Sequence, residues 1–115
     1  MEQGKVVGVS YDGGATIIAG DLGRVGLGIV NQEHRDASYA VSLEIDGQPA
    51  NIFFGGMIYS RLEGIRLSQG GIWEEEIGFS PHKPGDNQKA QFFLFIDGEY
   101  SAENTLHLWI DVRGS

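Results

Sequence analysis

Regularly spaced turn signals divide this chain into short segments, and this spacing constrains the fold more than any other feature of the sequence. The signals are built from Gly, Asp, Asn and Pro, and the segments between them are rich in Val, Ile, Phe, Tyr and Trp. The segments recur about every 8–12 residues, which is typical of an all-β sandwich or barrel. We expect strands near residues 5–11, 23–31, 38–45, 49–54, 61–67, 72–79, 90–97 and 105–112.

An apolar residue at every second position favours strands over helices. Residues 39–45 and 106–112 show this alternation, which predicts one face toward a core and one outward. Residues 92–96 are apolar at every position, so we place them at the centre of a sheet. Asp46-Gly47 predicts a two-residue hairpin turn, since both residues tolerate a positive φ. The residues that we expect to be buried are Leu27, Ile29, Val41, Leu43, Leu94, Leu108 and Ile110.

These patterns predict that residues 1–115 form a single domain. A chain of 115 residues fits one domain with a core of its own. It contains no cysteine, so a disulfide is excluded. We therefore predict an immunoglobulin-like antiparallel β-sandwich of seven or eight strands, without the disulfide.

Charge and hydropathy exclude several classes of partner. The formal net charge is −8 and the eight basic residues are scattered, which argues against nucleic-acid binding because phosphates need local positive charge. No apolar run approaches the roughly 20 residues that cross a bilayer, and no secretory signal is present. Membrane attachment would therefore require segments outside this sequence.

No motif in the sequence indicates catalysis. His34, His82 and His107 lack the spacing of a zinc site, and no serine lies in a nucleophile elbow. On a strand Glu74 and Glu76 share one face, where we interpret them as solvated charges that discourage edge-to-edge pairing. We expect no enzyme, no catalytic residue, no cofactor and no metal ion.

The most acidic connection runs over residues 97–104. Its carboxylates could hold calcium, which prefers oxygen ligands, with Asp97, Glu99 and Glu103 as the candidates. The run does not match an EF-hand loop. We favour the alternative that it is a long hairpin connection whose Asp, Gly and Asn serve turn geometry.

The outward aromatic residues provide the candidate interaction surface. Trp109 alternates with the apolar residues of the last strand, so it should lie on the outer face beside His107. A large outward indole is either covered by a loop, such as residues 81–87, or used for contact. We favour the covered arrangement; the alternative is a surface of Trp109, His107 and Tyr100 that contacts a protein or a sugar.

Several segments carry a resemblance to a known family. They are Ile29-Val30-Asn31-Gln32-Glu33, Ser38-Tyr39-Ala40-Val41, Trp73-Glu74-Glu75-Glu76-Ile77 with Phe79, Gln91-Phe92-Phe93-Leu94-Phe95, and Leu106-His107-Leu108-Trp109-Ile110-Asp111-Val112. From about Gly20 to Val112 the chain resembles the soluble domain of an uncharacterised family of predicted membrane proteins, domain of unknown function family 1616. It is more loosely similar to bacterial cell-adhesion-related immunoglobulin-like domains. Asn31-Gln32-Glu33 departs from the Asn-His-Glu expected there, with a histidine instead at His34.

The resemblance implies a setting rather than an activity. It suggests an immunoglobulin-like sandwich excised from a larger membrane-anchored protein and held outside the cytoplasm, and it supplies no catalytic residue. Our first functional hypothesis is a noncatalytic extracytoplasmic interaction or spacer module whose partner is unknown. The alternative is a carbohydrate-binding module that uses exposed aromatic residues, with or without calcium.

Overall fold

The computed structural model describes residues 5–11 and 16–114, and it places eleven β-strands and no helix in these ranges. The strands are β1 Lys5–Tyr11, β2 Thr16–Ile18, β3 Gly23–Val30, β4 Ala37–Ile45, β5 Gln48–Ala50, β6 Ile52–Phe54, β7 Met57–Tyr59, β8 Leu62–Leu67, β9 Ile72–Phe79, β10 Gly85–Ile96 and β11 Glu99–Arg113.

The strands form two sheets. One has five strands in the order β1-β3-β9-β6-β7, and the other has six in the order β2-β11-β10-β4-β5, with β8 paired to β4 as well. The pairings are antiparallel apart from the three-residue parallel contact of β2 with β11. The predicted all-β antiparallel sandwich is confirmed, and β10 lies between β4 and β11 as its apolar run predicted.

The number of strands exceeds the predicted seven or eight because some predicted segments are divided. The segment at 49–54 contains both β5 and β6, since the chain leaves the six-stranded sheet at Asn51 and enters the five-stranded sheet. The hairpin partner β7 and the short edge strand β2 are further additions. Three-residue strands are too short for alternation to reveal them.

The core lies between the sheets and is built from alternate residues of the long strands. Six of the seven residues predicted to be buried are buried; Leu108, which packs against the core but is only partly buried, is the exception. At Leu108 β10 pairs with β11 on one side, while β2 reaches only Asp111–Arg113 on the other. Among the described strands none pairs with β11 at Leu108 on that second side, which alternation along one strand cannot predict.

The prediction of a long connection at residues 97–104 is wrong. Asp97 and Gly98 form a tight turn with φ of 51° and 86°, nearly repeating the values of 53° and 80° at Asp46 and Gly47. Both pairs have the positive φ values that a two-residue hairpin turn requires. β11 begins directly afterwards, and its residues 102–105 bulge opposite the single residue Phe93.

Candidate functional site

The outer surface of the six-stranded sheet carries the candidate site, which we call the aromatic face. On β10 the residues at even positions from 88 to 96 are buried, so the intervening residues point away from the core. Strand pairing sets Lys89 opposite Trp109 and Phe95 opposite Tyr100. The aromatic face consists of Lys89, Gln91, Phe93, Phe95, Tyr100, His107 and Trp109.

The indole of Trp109 lies at one end of this face. It is 55% exposed, which contradicts the favoured expectation that a loop covers it. The His107 ring meets it edge-on, with centroids 5.8 Å apart and an interplanar angle of 78°. The Lys89 Nζ lies 5.8 Å from the indole centroid, a cation–π distance. The indole is therefore held in place by neighbours beside it and remains accessible.

Tyr100 is the centre of a second aromatic cluster. Its ring centroid lies 5.9 Å from that of Phe93 and 5.8 Å from that of Phe95, in tilted arrangements. The guanidinium of Arg61 lies 4.0 Å above the Phe95 ring. The Tyr100 hydroxyl and Thr105 Oγ1 share a 2.7 Å hydrogen bond, which spans the bulge within β11.

The three residues proposed from the sequence, Trp109, His107 and Tyr100, therefore lie on one sheet face. Sequence reasoning missed the contributions of Phe93 and Phe95. The apolar residues at every position of 92–96 signalled that some would face outward. Lys89 and Arg61 could not be found in this way, since their ring contacts depend on neighbouring strands.

Asp97 has a structural role at the turn between β10 and β11. Its Oδ1 accepts a hydrogen bond of 2.9 Å from the Ser38 backbone N–H, and its Oδ2 pairs with Arg35 Nη1 at 2.5 Å. The Ser38 hydrogen bond and the Arg35 guanidinium lower the pKa of the Asp97 carboxyl, and this carboxylate in turn raises the pKa of Arg35. The carboxylate thus fixes the β10–β11 turn against the start of β4.

The other candidate ligands do not assemble into a metal site in the described part of the chain. No group of three or more His, Cys, Asp or Glu side chains there is placed to hold a metal ion. The side chain of Glu103, one of the calcium candidates, lies outside the described residues. His34 and His82 are exposed in connections away from His107.

The asparagine in the segment that suggested the family has a structural role. Asn31 is buried, and its Nδ2 lies 2.8 Å from the carbonyl oxygens of both Arg35 and Leu67. Its Oδ1 accepts a hydrogen bond of 2.8 Å from the Glu33 N–H. Asn31 thereby joins the turn after β3 to the end of β8, which satisfies backbone groups that burial would otherwise leave unpaired.

No helix long and apolar enough to span a membrane was found in residues 5–11 and 16–114. A family model described as Domain of unknown function (DUF1616) matches residues 3–111, which confirms the predicted family. No curated protein matches the chain in sequence.

Solved structures share this fold at low sequence identity. The CARDB domain of the PF1109 protein from Pyrococcus furiosus, in complex with di-metal ions, is 14% identical with a TM-score of 0.59, over 96% of this chain and 90% of that one. The alkylpurine DNA glycosylase AlkC of Pseudomonas fluorescens, bound to DNA containing an abasic site analog, is 12% identical with a TM-score of 0.59. The sporulation control protein Spo0M of Bacillus subtilis is 10% identical with a TM-score of 0.57.

The extent of the match differs among these structures. The match with AlkC covers 96% of this chain but 30% of AlkC. The match with Spo0M covers 100% of this chain but 51% of Spo0M. In both cases this chain corresponds to one part of a longer protein. Similarity at these identities shows a common fold. It confirms the immunoglobulin-like sandwich and, at the level of the fold, the likeness to cell-adhesion-related domains.

Proposed function

The chain belongs to the DUF1616 family, and from this premise we propose that it is a noncatalytic interaction module that binds its partner through the aromatic face. The observation that carries the proposal is the exposure of Trp109 and Tyr100, 55% and 51%, on one face of one sheet. Exposed apolar patches of this kind mark interaction sites. The inner faces of both sheets are occupied by the core, so recognition of a partner must use an outer sheet face, a strand edge or an end of the sandwich.

The chemistry of the aromatic face favours a partner with both apolar and polar groups. Aromatic and Arg side chains are the types that contribute most at interfaces. Lys89 and Arg61 place positive charge over the rings at the two ends, and Glu44 lies beside Gln91 between them. This mixture offers stacking surfaces at both ends and hydrogen bonds in the middle. The net charge of −8 gives no reason to propose a nucleic-acid partner.

Site-specific photo-crosslinking tests this proposal. A photoreactive phenylalanine analogue at position 109 should crosslink the full-length protein to a defined partner in its own cells. Position 58 provides the matched control, because Ile58 is 60% exposed but belongs to the other sheet. A partner captured from position 109 but not from position 58 would support the proposal. Equal capture from both positions, or none from 109, would contradict it and favour a spacer role.

We also place this module outside the cytoplasm, on a larger membrane-anchored protein. The support is the family resemblance to predicted membrane proteins. Since the chain has no cysteine, Ser60→Cys creates a single exposed thiol in it. A membrane-impermeant maleimide should label this thiol in intact cells. The unsubstituted protein gives the background, and labelling that occurs only after lysis would refute the placement.

Carbohydrate binding is the second candidate, and the accessible indole of Trp109 favours it. A sugar ring can stack on such an indole while Lys89 and Gln91 supply hydrogen bonds. A glycan array probed with the protein and with Trp109→Ala tests this directly. The array should be probed with and without calcium, because the hypothesis covers both cases. A glycan whose signal disappears in Trp109→Ala supports the candidate, and an array without signal contradicts it.

A further inference from the structure

A cleft of about 370 Å³ opens between the two sheets, apart from the aromatic face. One wall is the β4–β5 turn with Asp46, and the opposite wall is the connection from β9 to β10 with His82 and Lys83. Its apolar surface comes from Ile45, Pro49, Ala50, Phe53 and Pro81. This volume lies within the range of roughly 300–1,000 Å³ that small-molecule sites occupy.

Hydrogen bonds hold both walls in place. The Asp46 N–H donates to the Lys89 carbonyl at 2.8 Å, which fixes the turn against β10. On the other side, the Gly20 N–H donates to the Pro81 carbonyl at 2.9 Å, and Ser80 Oγ donates to the Gly20 carbonyl at 3.0 Å. The cleft is therefore formed before any ligand arrives, which lowers the entropic cost of binding.

Gln88 is the buried polar side chain of this cleft, and half of its hydrogen-bonding capacity is unused. It is only 5% exposed. Its Nε2 lies 2.6 Å from the Lys83 carbonyl oxygen and 3.2 Å from that of Gly85, which identifies this atom as the donor. Within the described residues its Oε1 accepts no hydrogen bond. The Oε1 atom itself is not shielded from solvent, so it can accept a hydrogen bond from a ligand in the cleft.

The charged groups lining the cleft are also without ion-pair partners in the described ranges. The ion pairs found there join Arg35 with Asp97, Arg61 with Glu63, and Arg113 with Asp86. Asp46 on one wall and Lys83 on the other belong to none of them. A negative and a positive group therefore face one cavity from opposite walls, with apolar surface between them.

From these features we propose that the cleft binds a small zwitterion of the amino-acid type with an apolar side chain. The ligand's ammonium donates to Gln88 Oε1 and to the Asp46 carboxylate. Its carboxylate accepts from Lys83 and His82. Its side chain packs on the apolar surface around Phe53. This binding is independent of the partner proposed for the aromatic face.

Titration of the ¹⁵N-labelled protein with L-leucine tests the proposal. The side-chain amide resonances of Gln88 are the reporter, because Nε2 and the proposed acceptor belong to the same group. We expect leucine to shift these resonances in a saturable manner. N-acetylleucine lacks the ammonium and leucinamide lacks the carboxylate, so each should bind at least about tenfold more weakly, the factor that losing one charged hydrogen bond produces.

Charge-removing variants identify the residues that contact the ligand. Asp46→Asn preserves a residue that tolerates the positive φ of the turn, and Lys83→Ala removes the ammonium from the other wall. Each should weaken leucine binding about tenfold or more. The matched controls Asp21→Asn and Arg24→Ala remove a negative and a positive charge outside the cleft, and they should leave leucine binding unchanged.

Three outcomes would overturn the proposal. The first is that leucine leaves the Gln88 resonances unshifted up to its solubility limit. The second is that the two blocked analogues bind as well as leucine, which would indicate an apolar pocket without charge recognition. The third is that Asp46→Asn and Lys83→Ala bind leucine as tightly as the unsubstituted protein, which would place the ligand elsewhere.

Discussion

Replacing Tyr39 by phenylalanine should stabilise this protein. The side chain is 1% exposed and lies on β4, paired with Ile96 on one side and Ile65 on the other. Its hydroxyl is the one buried side-chain polar atom without a hydrogen-bond partner in the described part of the chain. Burying a hydroxyl without a hydrogen bond costs roughly 1–3 kcal/mol. Phenylalanine keeps the ring and removes that cost.

The magnitude can be measured by urea unfolding at neutral pH. We expect Tyr39→Phe to raise the free energy of unfolding by about 1–2 kcal/mol. With a urea dependence of about 1–3 kcal/mol per molar, the midpoint should rise by roughly 0.3–2 M without a change of slope. Tyr59→Phe is the matched control, since this tyrosine is only partly buried, and it should change stability by less than about 0.5 kcal/mol.

The stability difference between Tyr39→Phe and the unsubstituted protein should depend on pH in the alkaline range. Burial, followed by the nearby charge of Glu33, raises the pKa of Tyr39 from 10.0 to about 12. Because the folded value lies above the unfolded one, the native state resists ionisation, and stability falls as pH rises from 10 toward 12. This difference in pKa between the folded and unfolded states corresponds to roughly 2–3 kcal/mol of unfolding free energy. The advantage of Tyr39→Phe should therefore grow over this window.

The reasoning would be refuted by a loss of stability. If Tyr39→Phe lowers the free energy of unfolding by more than about 1 kcal/mol, the hydroxyl makes a favourable hydrogen bond in solution, for example to a buried water. An advantage that stays constant between pH 10 and 12 would refute the alkaline part separately.

Three further predictions concern the core, a turn and the aromatic face. Leu94→Ala should cost about 2–5 kcal/mol because Leu94 is fully buried, and Leu108→Ala less because Leu108 is partly buried; chemical denaturation of the two variants provides the comparison. Asp97→Asn should lower stability at neutral pH by up to about 1 kcal/mol. Since the pKa of Asp97 is lowered, this difference should vanish as acid titration passes through the folded value, and unfolding measured between pH 7 and 2 should show the convergence. Trp109→Ala should change the melting temperature little, because the indole is exposed; a large loss would show that it is structural.

The sequence was sufficient for the features that depend on local pattern. Alternation identified which residues of β4 face the core, and the double-sided apolar run placed β10 between two other strands. Asp46-Gly47 was predicted as a tight turn from residue type alone. Asp97-Gly98 carries the same signal, but the acidic residues that follow it favour a longer connection in the sequence. The φ values of the two pairs show that Asp97-Gly98 forms a tight turn like that at Asp46-Gly47.

The features that the sequence did not reveal depend on residues far apart in the chain. Leu108 is partly open because β2 pairs with only the last residues of β11, and strand lengths at a sheet edge do not follow from alternation. The free Gln88 oxygen depends on where the carbonyls of residues 83 and 85 point. The ring contacts of Arg61 and Lys89 arise from neighbouring strands. No periodicity encodes such contacts.

Strand β10 contributes residues to both candidate surfaces. A strand paired on both sides must bury one face in the core, and here the residues at even positions from Gln88 to Ile96 do so. Its other face points away from the core, where polar residues are the usual choice, so packing of the core does not explain Phe93 and Phe95. At the start of β10, Gln88 belongs to the buried row and its amide lies in the cleft. An apolar residue at this position would leave the carbonyl of residue 83 without its hydrogen-bond donor. A polar residue in the inner row and aromatic residues in the outer row each depart from the simple strand pattern. Such departures are expected where a chain is shaped for binding as well as for folding.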